Sequence, residues 1–335
     1  MSNRVDTITN DKMLAGLVNT VFTQSVLFTR IGTAAKKWPS SSQLKKTLNV
    51  SKNLNGGSFD GYDPFSITPS DTRITIAFDP KYYHQDLSIS YTEVTENEND
   101  KSNVIDLVKA ELETAAGSMV DGLGTLVYGT GTGKDMLGLE AIVDDGTNAA
   151  TYGGKTRSSY DSLDATVTAS GGKLTLAKLA TLNDTVSDGA IESTAIYTTK
   201  AIFSLYEQLL SPQERIQKDV SFMKGMSGGT GFTALAYRGI PMLKDSKCTS
   251  GVLYMLNENF LDFHASPLAM TKPINFSVSM EGIDPTAQPK GLGFTWSGWK
   301  EAINGASAAA SIYFGGALYS SRPNAQGKLT GINSI

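Results

Sequence analysis

A glycine-rich segment with one lysine is the first stretch of the sequence that invites a chemical interpretation. Gly129-Thr-Gly-Thr-Gly-Lys134 resembles the loops whose backbone amides cradle phosphate groups. The phosphate-loop motif has four residues between its first glycine and Gly-Lys, and then Ser or Thr. Here three residues intervene and Asp135 follows, and a carboxylate at that position repels phosphate. A helical pattern also precedes the segment where the motif needs a strand, so we predict a flexible turn without bound nucleotide.

A second candidate is the string Gly225-Met-Ser-Gly-Gly229, which matches the pattern around the nucleophilic serine of many hydrolases. Ser227 would be the nucleophile, and Asp245 or Asp262 followed by His264 would complete the triad in the expected chain order. That motif requires a buried strand before the serine and a helix after it, whereas the residues around this string are typical of a loop. Acyl hydrolysis by Ser227 is therefore the enzymatic alternative, and the local sequence disfavours it.

The remaining polar residues form no pattern of metal ligands. His84 and His264 are the only histidines and lie far apart, and Cys248 is the only cysteine, which also excludes a disulfide framework and fits a reducing compartment. The acidic run from Glu93 to Asp100 lacks the glycine and the terminal glutamate of a calcium loop, so we expect a solvated helix entrance. The sequence thus predicts no enzyme: no catalytic residues, no cofactor and no metal site.

Composition and charge describe a globular chain whose N-terminal part is basic. Of the 335 residues, 40% are hydrophobic and 19% charged, which is enough for one large or two ordinary folded domains. Residues 1–57 contain eight Lys or Arg and two Asp, a balance of +6, so the rest of this −4 chain carries −10. Such a segment is either a solvated face or a contact with an acidic partner, nucleic acid or another copy. No apolar run is long enough for a membrane span, and no signal peptide is predicted.

The strongest secondary-structure signal is a long amphipathic helix over residues 102–128. Its apolar residues recur three or four positions apart: Ile105, Val108, Leu112, Ala115, Met119, Leu123 and Leu126. Gly117, Gly122 and Gly124 each cost about 1 kcal/mol relative to alanine in a helix, so we expect the second half to bend or to end near Gly122.

Two alternating strands precede this helix, over residues 44–50 and 74–78, and a connection rich in Gly, Pro, Asn and Asp joins them. So long a connection usually projects or has a function. A lone hairpin buries too little surface to be stable in water, so its apolar residues need a cover from the same domain or from a neighbouring subunit.

Shorter patterns complete a mixture of helices and strands that we assign to the α+β class. Helices are predicted over residues 14–22, 174–182 and 199–210. Strands are predicted over residues 87–91, 195–198, 235–242, 251–256, 260–263, 274–280, 292–296 and 311–319. Residues 146–172 are expected to form loops with short strands.

Several segments, in the same order along the chain, resemble the major capsid proteins of tailed bacteriophages. They are DTRIT at 71–75, GLEAIVDDGTNAATYGG at 138–154, TTKAIF at 198–203, ALAYRGIPMLKDSKC at 234–248, LYMLN at 253–257 and GKLTGI at 327–332. The resemblance spans roughly residues 44–332, and its specificity lies in the series, since no single motif is diagnostic.

This resemblance implies the Hong-Kong-97-like fold. By analogy, residues 1–43 form the N-terminal arm and residues 44–80 the extended hairpin loop that lies over a neighbour. Residues 81–165 and 271–335 form the peripheral domain, which contains the spine helix at about 102–128, and residues 166–270 form the axial domain.

The family also implies a structural function. The chain is expected to assemble into hexamers and pentamers of an icosahedral head around non-specifically bound double-stranded DNA, in the virion after assembly in the host cytoplasm. Residues 1–43 are too few for a cleaved scaffolding segment, so a separate scaffold protein is expected, with portal and cement proteins as further partners and no membrane. No motif supports the Lys–Asn crosslinks of some relatives. The shell of an encapsulin-type nanocompartment is the alternative with the same fold.

Overall fold

The computed structural model describes residues 25–39, 42–65, 68–97, 101–189, 191–210, 235–266, 272–273, 294–301 and 305–334. The helices, numbered along the chain, are α1 Val26–Thr33, α2 Tyr91–Asn97, α3 Lys101–Val127, α4 Leu139–Ile142, α5 Leu176–Val186 and α6 Lys200–Leu210. The first strands are β1 Lys36–Lys37, β2 Leu44–Asn49, β3 Arg73–Phe78, β4 Lys81–Ser90, β5 Thr151–Tyr152, β6 Lys155–Thr156, β7 Thr166–Lys173 and β8 Ala195–Thr198. They are followed by β9 Leu235–Tyr237, β10 Ile240–Lys244, β11 Leu253–Leu256, β12 Leu261–Ala265, β13 Lys272–Pro273, β14 Thr295–Trp296, β15 Lys300–Glu301, β16 Ser307–Ser320 and β17 Gly327–Ser334. None of the helices in these segments combines the length and the apolar character needed to cross a membrane.

Two sheets organise the body, which confirms the α+β class. In the seven-stranded sheet the long strand β16 is central: β4 pairs with it antiparallel along ten residues, and β12, β14 and β15 also pair with it. In the six-stranded sheet the order is β7-β17-β11-β8-β10-β9, which mixes parallel and antiparallel pairs. The apolar faces of both sheets are buried in two clusters of core side chains. The first cluster combines residues of both sheets with residues of α1, α3, β2 and β3, and the second combines residues of the six-stranded sheet with α5 and α6.

The long helix predicted from the sequence is present as α3, which packs against β4 and β16. Its observed range differs from the predicted 102–128 by one residue at each end. Of the bend or end expected near Gly122, the end is wrong, because α3 continues through Gly122 and Gly124 to Val127. These glycines allow close packing: a Cβ atom on Gly122 would lie closer than 3.0 Å to the Tyr83 hydroxyl, and one on Gly124 would lie 3.0 Å from Ser25 Cβ. Tertiary contact therefore outweighs the low helix propensity of glycine.

Several predicted elements agree with the structure within a few residues. These are β2, β3, β8, α5 and α6, and the start of α5 is capped by Thr175, whose hydroxyl accepts a hydrogen bond from Lys178 N. The strand predicted at 87–91 is longer than expected at its N-terminal end, and Tyr91 already belongs to helix α2. The helix predicted over residues 14–22 and the strand predicted over 274–280 lie outside the described residues.

Several features were not predicted, among them a turn, a parallel strand pair and a short helix. The segment 235–242 is a hairpin, β9–β10, whose turn has positive φ at Arg238 (49°) and Gly239 (86°). Strands β7 and β17 pair in parallel. Short strands were expected within residues 146–172, but neither this pairing nor a strand at residues 327–334 was predicted. Helix α1 was missed because it is only eight residues long.

A buried arginine connects the loops between α4 and β7. Arg157 is 1% exposed, and its guanidinium donates hydrogen bonds to the carbonyl oxygens of Leu163, Ala141 (2.7 Å) and Ile142 (3.2 Å). The same group lies over the Tyr152 ring at 4.9 Å. The arginine fork thus satisfies carbonyls at the C-terminal end of α4 that have no partner within the helix.

Candidate assembly surface

The β2–β3 hairpin stem is packed on its own body. Its register runs from Leu44 opposite Phe78 to Asn49 opposite Arg73. Its apolar face is buried in the first core cluster; the buried side chains are Leu44, Ile74, Ile76 and Phe78. Ala77 N also donates a hydrogen bond to Gly153 O at 3.0 Å. Apolar burial therefore holds the base of the hairpin to the same chain.

Beyond the stem, hydrogen bonds within the loop hold it as a two-stranded ribbon. Val50 N donates to Thr72 O at 2.9 Å, and the Asn55 side-chain amide donates to Thr68 O. A turn closes the end, where Asp63 N donates to Asp60 O and Asp60 N donates to the Asp63 carboxylate at 2.8 Å. The loop therefore has a defined shape that its own residues maintain.

The end of this loop exposes a group of large apolar side chains. Leu54 is 85% exposed, Phe59 67%, Phe65 66%, and Tyr62 is fully exposed. Phe59 and Phe65 contact each other edge to face at 5.0 Å between ring centroids. We call these four residues with Asp60 and Asp63 the hairpin tip. Isolated exposed hydrophobic residues are common on proteins, but a cluster on a projecting loop indicates a surface that binds a partner.

Helix α1 is anchored to the body by a buried carboxylate at its start. Asp245 is fully buried and accepts hydrogen bonds from Ser25 Oγ (2.7 Å), Leu27 N (3.1 Å) and Tyr128 Oη (3.0 Å). Its other oxygen accepts from Lys247 N at 2.9 Å. A carboxylate at a helix N-terminus is favourable because the first amides of the helix have no partner within it.

A second anchor lies near the end of α1. Arg30 donates two hydrogen bonds to the Glu258 carboxylate, at 2.8 and 2.5 Å, in a bidentate arrangement. The hydroxyl of Tyr197 donates to the same carboxylate, and burial raises the pKa of Tyr197 well above its usual value, so the hydroxyl keeps its proton. The two anchors position the chain that leads to the hairpin.

Between α1 and the hairpin, strand β1 joins the body at a cluster of charged groups. Lys36 lies opposite His264 in the parallel β1–β12 pair and forms an ion pair with Asp262. The His264 ring is buried and stacks on Tyr319 with centroids 5.7 Å apart. Burial lowers the pKa of His264; the charges of Lys36 and Lys46 lower it further, and Asp262 opposes them.

The residues that suggested enzymatic chemistry do not form an active site in the described structure. Ser227 and the Gly225–Gly229 string lie outside the described residues. The Asp245 carboxylate accepts hydrogen bonds from Ser25 and Leu27 at the start of α1, and the Asp262 carboxylate forms an ion pair with Lys36. The segment 129–134 follows the helix α3 as an irregular turn in which Gly131 and Gly133 have positive φ, as predicted. Within the described residues, no group of three acidic, His or Cys side chains could hold a metal ion.

A partly open cavity of about 290 Å³ is lined in part by Glu140, Tyr254 and Lys328. Lys328 is buried, and its ammonium group donates to Glu140 O at 3.2 Å and lies 3.5 Å from the buried Asp144 carboxylate. Asp144 also accepts hydrogen bonds from three backbone amides of residues 146–149, which lower its pKa together with the charge of Lys328, although burial opposes them. These charges organise a loop, so we assign them a structural role.

Comparison with known proteins gives no relative by sequence, because no family model and no curated protein matches. Solved structures do match. A chain of the cyanophage A-1(L) capsid asymmetric unit aligns with 96% of this chain and 97% of its own length, with a TM-score of 0.73 and 13% identity.

Two further matches cover similar lengths. A chain of the holo-SrpI encapsulin complex from Synechococcus elongatus PCC 7942 aligns with 98% of this chain and 94% of its own, at a TM-score of 0.61 and 11% identity. A chain from the capsid of the native GTA particle aligns with 96% and 95%, at 0.60 and 10%. The chain therefore has the Hong-Kong-97-like fold of tailed-phage capsid proteins, as the resemblance implied.

Proposed function

We propose that this chain is a structural subunit, the major capsid protein of a tailed bacteriophage head, and that it is not an enzyme. The observation that supports this most directly is the match to a phage capsid chain over nearly the whole of both chains, at a TM-score of 0.73. The exposed hairpin tip supports it independently, because these side chains have no cover from the described parts of their own body.

In this proposal the work of the protein is self-association. Full burial of a large apolar side chain contributes about 1.5–3 kcal/mol, so the four apolar side chains of the hairpin tip could contribute up to about 10 kcal/mol per contact. Ordering the loop and the loss of rigid-body freedom offset much of this. A single contact between two isolated subunits is therefore weak. In a closed shell every subunit makes several such contacts, so the assembly as a whole is stable.

The domain assignment and the partners belong to the same proposal. The arm, the hairpin loop, the peripheral domain and the axial domain would have the ranges 1–43, 44–80, 81–165 with 271–335, and 166–270. Hexamers and pentamers would form in the host cytoplasm with a separate scaffold protein, and portal and cement proteins would complete a virion that holds double-stranded DNA without sequence preference.

The test replaces the loop and leaves the stem intact. Because Val50 pairs with Thr72, residues 51–71 can be replaced by Asn-Gly, which favours a two-residue hairpin turn. We expect a folded subunit that forms no particles in electron microscopy and light scattering, whereas the wild-type chain forms closed shells. A matched control replaces only the exposed polar Lys52 and Asp71 by Ser and should still assemble. Shells of normal size from the loop-replaced chain would contradict the proposal.

The second candidate function is the shell of a nanocompartment, which the encapsulin match favours. Particles purified from the native source distinguish the two. A phage head contains double-stranded DNA that resists added nuclease, whereas a nanocompartment contains protein cargo and no protected DNA. A serine-directed probe tests the hydrolase alternative, since labelling that disappears in Ser227→Ala would support it.

A further inference from the structure

The hairpin carries opposite charges at its two ends. The hairpin tip contains Asp60 and Asp63 among its exposed apolar residues. At the other end, exposed lysines of β1 and β2 surround the start of the stem. We call this second group, Lys36, Lys37, Lys45 and Lys46, the hairpin root.

The hairpin root has more positive charge than the neighbouring carboxylates neutralise. Lys36 lies opposite His264, whose ring stacks on Tyr319. Tyr319 in turn stacks on Phe78, which lies opposite Leu44 at the start of β2, so β1 and the start of the stem are neighbours on the body. Asp262 binds Lys36, and Asp79 is held near β2 by a 3.0 Å hydrogen bond from Gln43. Four lysines against two carboxylates leave a surplus of two positive charges on an exposed surface.

The tip cannot reach the root of its own chain. Sixteen residues separate Leu44 from Asp60, and an extended strand rises by about 3.3 Å per residue, so the ribbon spans roughly 50 Å. Hydrogen bonds between the two arms of the loop, from Val50 to Thr72 and from Asn55 to Thr68, hold this extended form. A contact between tip and root therefore requires two copies of the chain.

Building on the proposed function, we propose that the acidic, apolar hairpin tip of one copy docks on the basic hairpin root of the adjacent copy. The contact is heterologous, because the surface that one copy offers differs from the surface that it receives. Head-to-tail contacts of this kind generate closed rings when the rotation between copies permits. The apolar side chains supply most of the affinity, and the charges determine which surface the tip selects and in what orientation.

A charge exchange tests the pairing. Asp60→Lys with Asp63→Lys reverses the tip, and Lys45→Glu with Lys46→Glu reverses the root. Each pair alone should reduce the yield of particles at least tenfold, because like charges then oppose each other. A chain with all four substitutions should recover assembly, because every tip again meets a root of opposite charge. Failure of the four-substitution chain to recover particles overturns the proposal, and so does normal assembly of either single reversal.

Three controls make the result specific. Lys134→Glu with Lys200→Glu reverses two exposed lysines elsewhere and should not change the yield. Asp60→Asn with Asp63→Asn keeps the side-chain oxygens that close the turn, and should weaken assembly less than the reversal. Assembly of the four-substitution chain should keep the salt sensitivity of wild type. If loop replacement abolishes particles while charge reversal does not, the proposed function stands and only the docking site is wrong.

Discussion

A double-mutant cycle at the contact between helix α3 and strand β4 tests why residue 122 is a glycine. Gly122 lies within α3, where alanine would increase stability by about 1 kcal/mol from helix propensity alone. The Tyr83 hydroxyl occupies the space that the new Cβ needs, and its Cζ atom would lie 3.1 Å from that Cβ. Tyr83 lies opposite Phe314 in the β4–β16 pair, so its backbone cannot retreat without disturbing ten paired residues.

Overpacking of this kind costs about 1–3 kcal/mol. We therefore expect Gly122→Ala to lower the free energy of unfolding by about 1 kcal/mol in the wild-type background. In the Tyr83→Phe background the hydroxyl is gone, and the same substitution should be neutral or stabilising by up to about 1 kcal/mol. The coupling free energy between the two sites is then about 1–2 kcal/mol.

The assay is urea unfolding of all four chains, with light scattering to verify that they are in the same state of assembly. Thr125→Ala serves as the matched control, because Thr125 is an exposed residue of the same helix and alanine there should stabilise by a few tenths of a kcal/mol. A stabilisation of about 1 kcal/mol by Gly122→Ala in both backgrounds would refute the packing explanation.

Three further predictions concern buried polar groups. Asp245→Ala leaves its buried donors unpaired and should reduce stability by about 3 kcal/mol or more, with early loss of α1 protection in hydrogen exchange. Arg157→Lys should cost about 2–3 kcal/mol in urea unfolding, since one ammonium group cannot reproduce the planar fork that meets three carbonyls. Because the folded state lowers the pKa of His264 below 6.5, the unfolded chain binds more protons, and stability should fall as pH falls from about 7 towards 5. His264→Phe should remove that part of the slope, and an unchanged slope would contradict the assignment.

Local pattern was sufficient to predict elements that have one apolar face and clear ends. Strands β2 and β3 alternate with period two, and β8 is a short run of four buried residues between polar neighbours. Helix α6 has the corresponding 3.6-residue period. In each of these the residues that determine the element lie within it, so the pattern can be read without the rest of the chain.

Elements that depend on distant partners could not be predicted in the same way. Strand β7 contains Ser, Thr and two glycines, and it is a strand because β17, more than 150 residues later, pairs with it in parallel. The turn at Arg238 and Gly239 divides a segment that reads as one continuous strand. The α1 anchor was equally hidden, because Asp245 and Ser25 meet only after the chain has folded.

The hairpin shows the same difference between what local pattern predicts and what tertiary contacts determine. The sequence by itself determined that residues 44–80 form a hairpin with a long, turn-rich connection, since alternation and turn residues are local properties. It left open whether the apolar residues of that connection are covered by their own domain or by a neighbour. Only the tertiary structure decided this: burial of Leu44, Ile76 and Phe78 commits the stem to the body and leaves the tip in solvent. Likewise, the glycines of the helix predicted at 102–128 indicated a bend or an end near Gly122. The close approach of Tyr83 is a property of the assembled fold, and it shows that this glycine makes room for a neighbour.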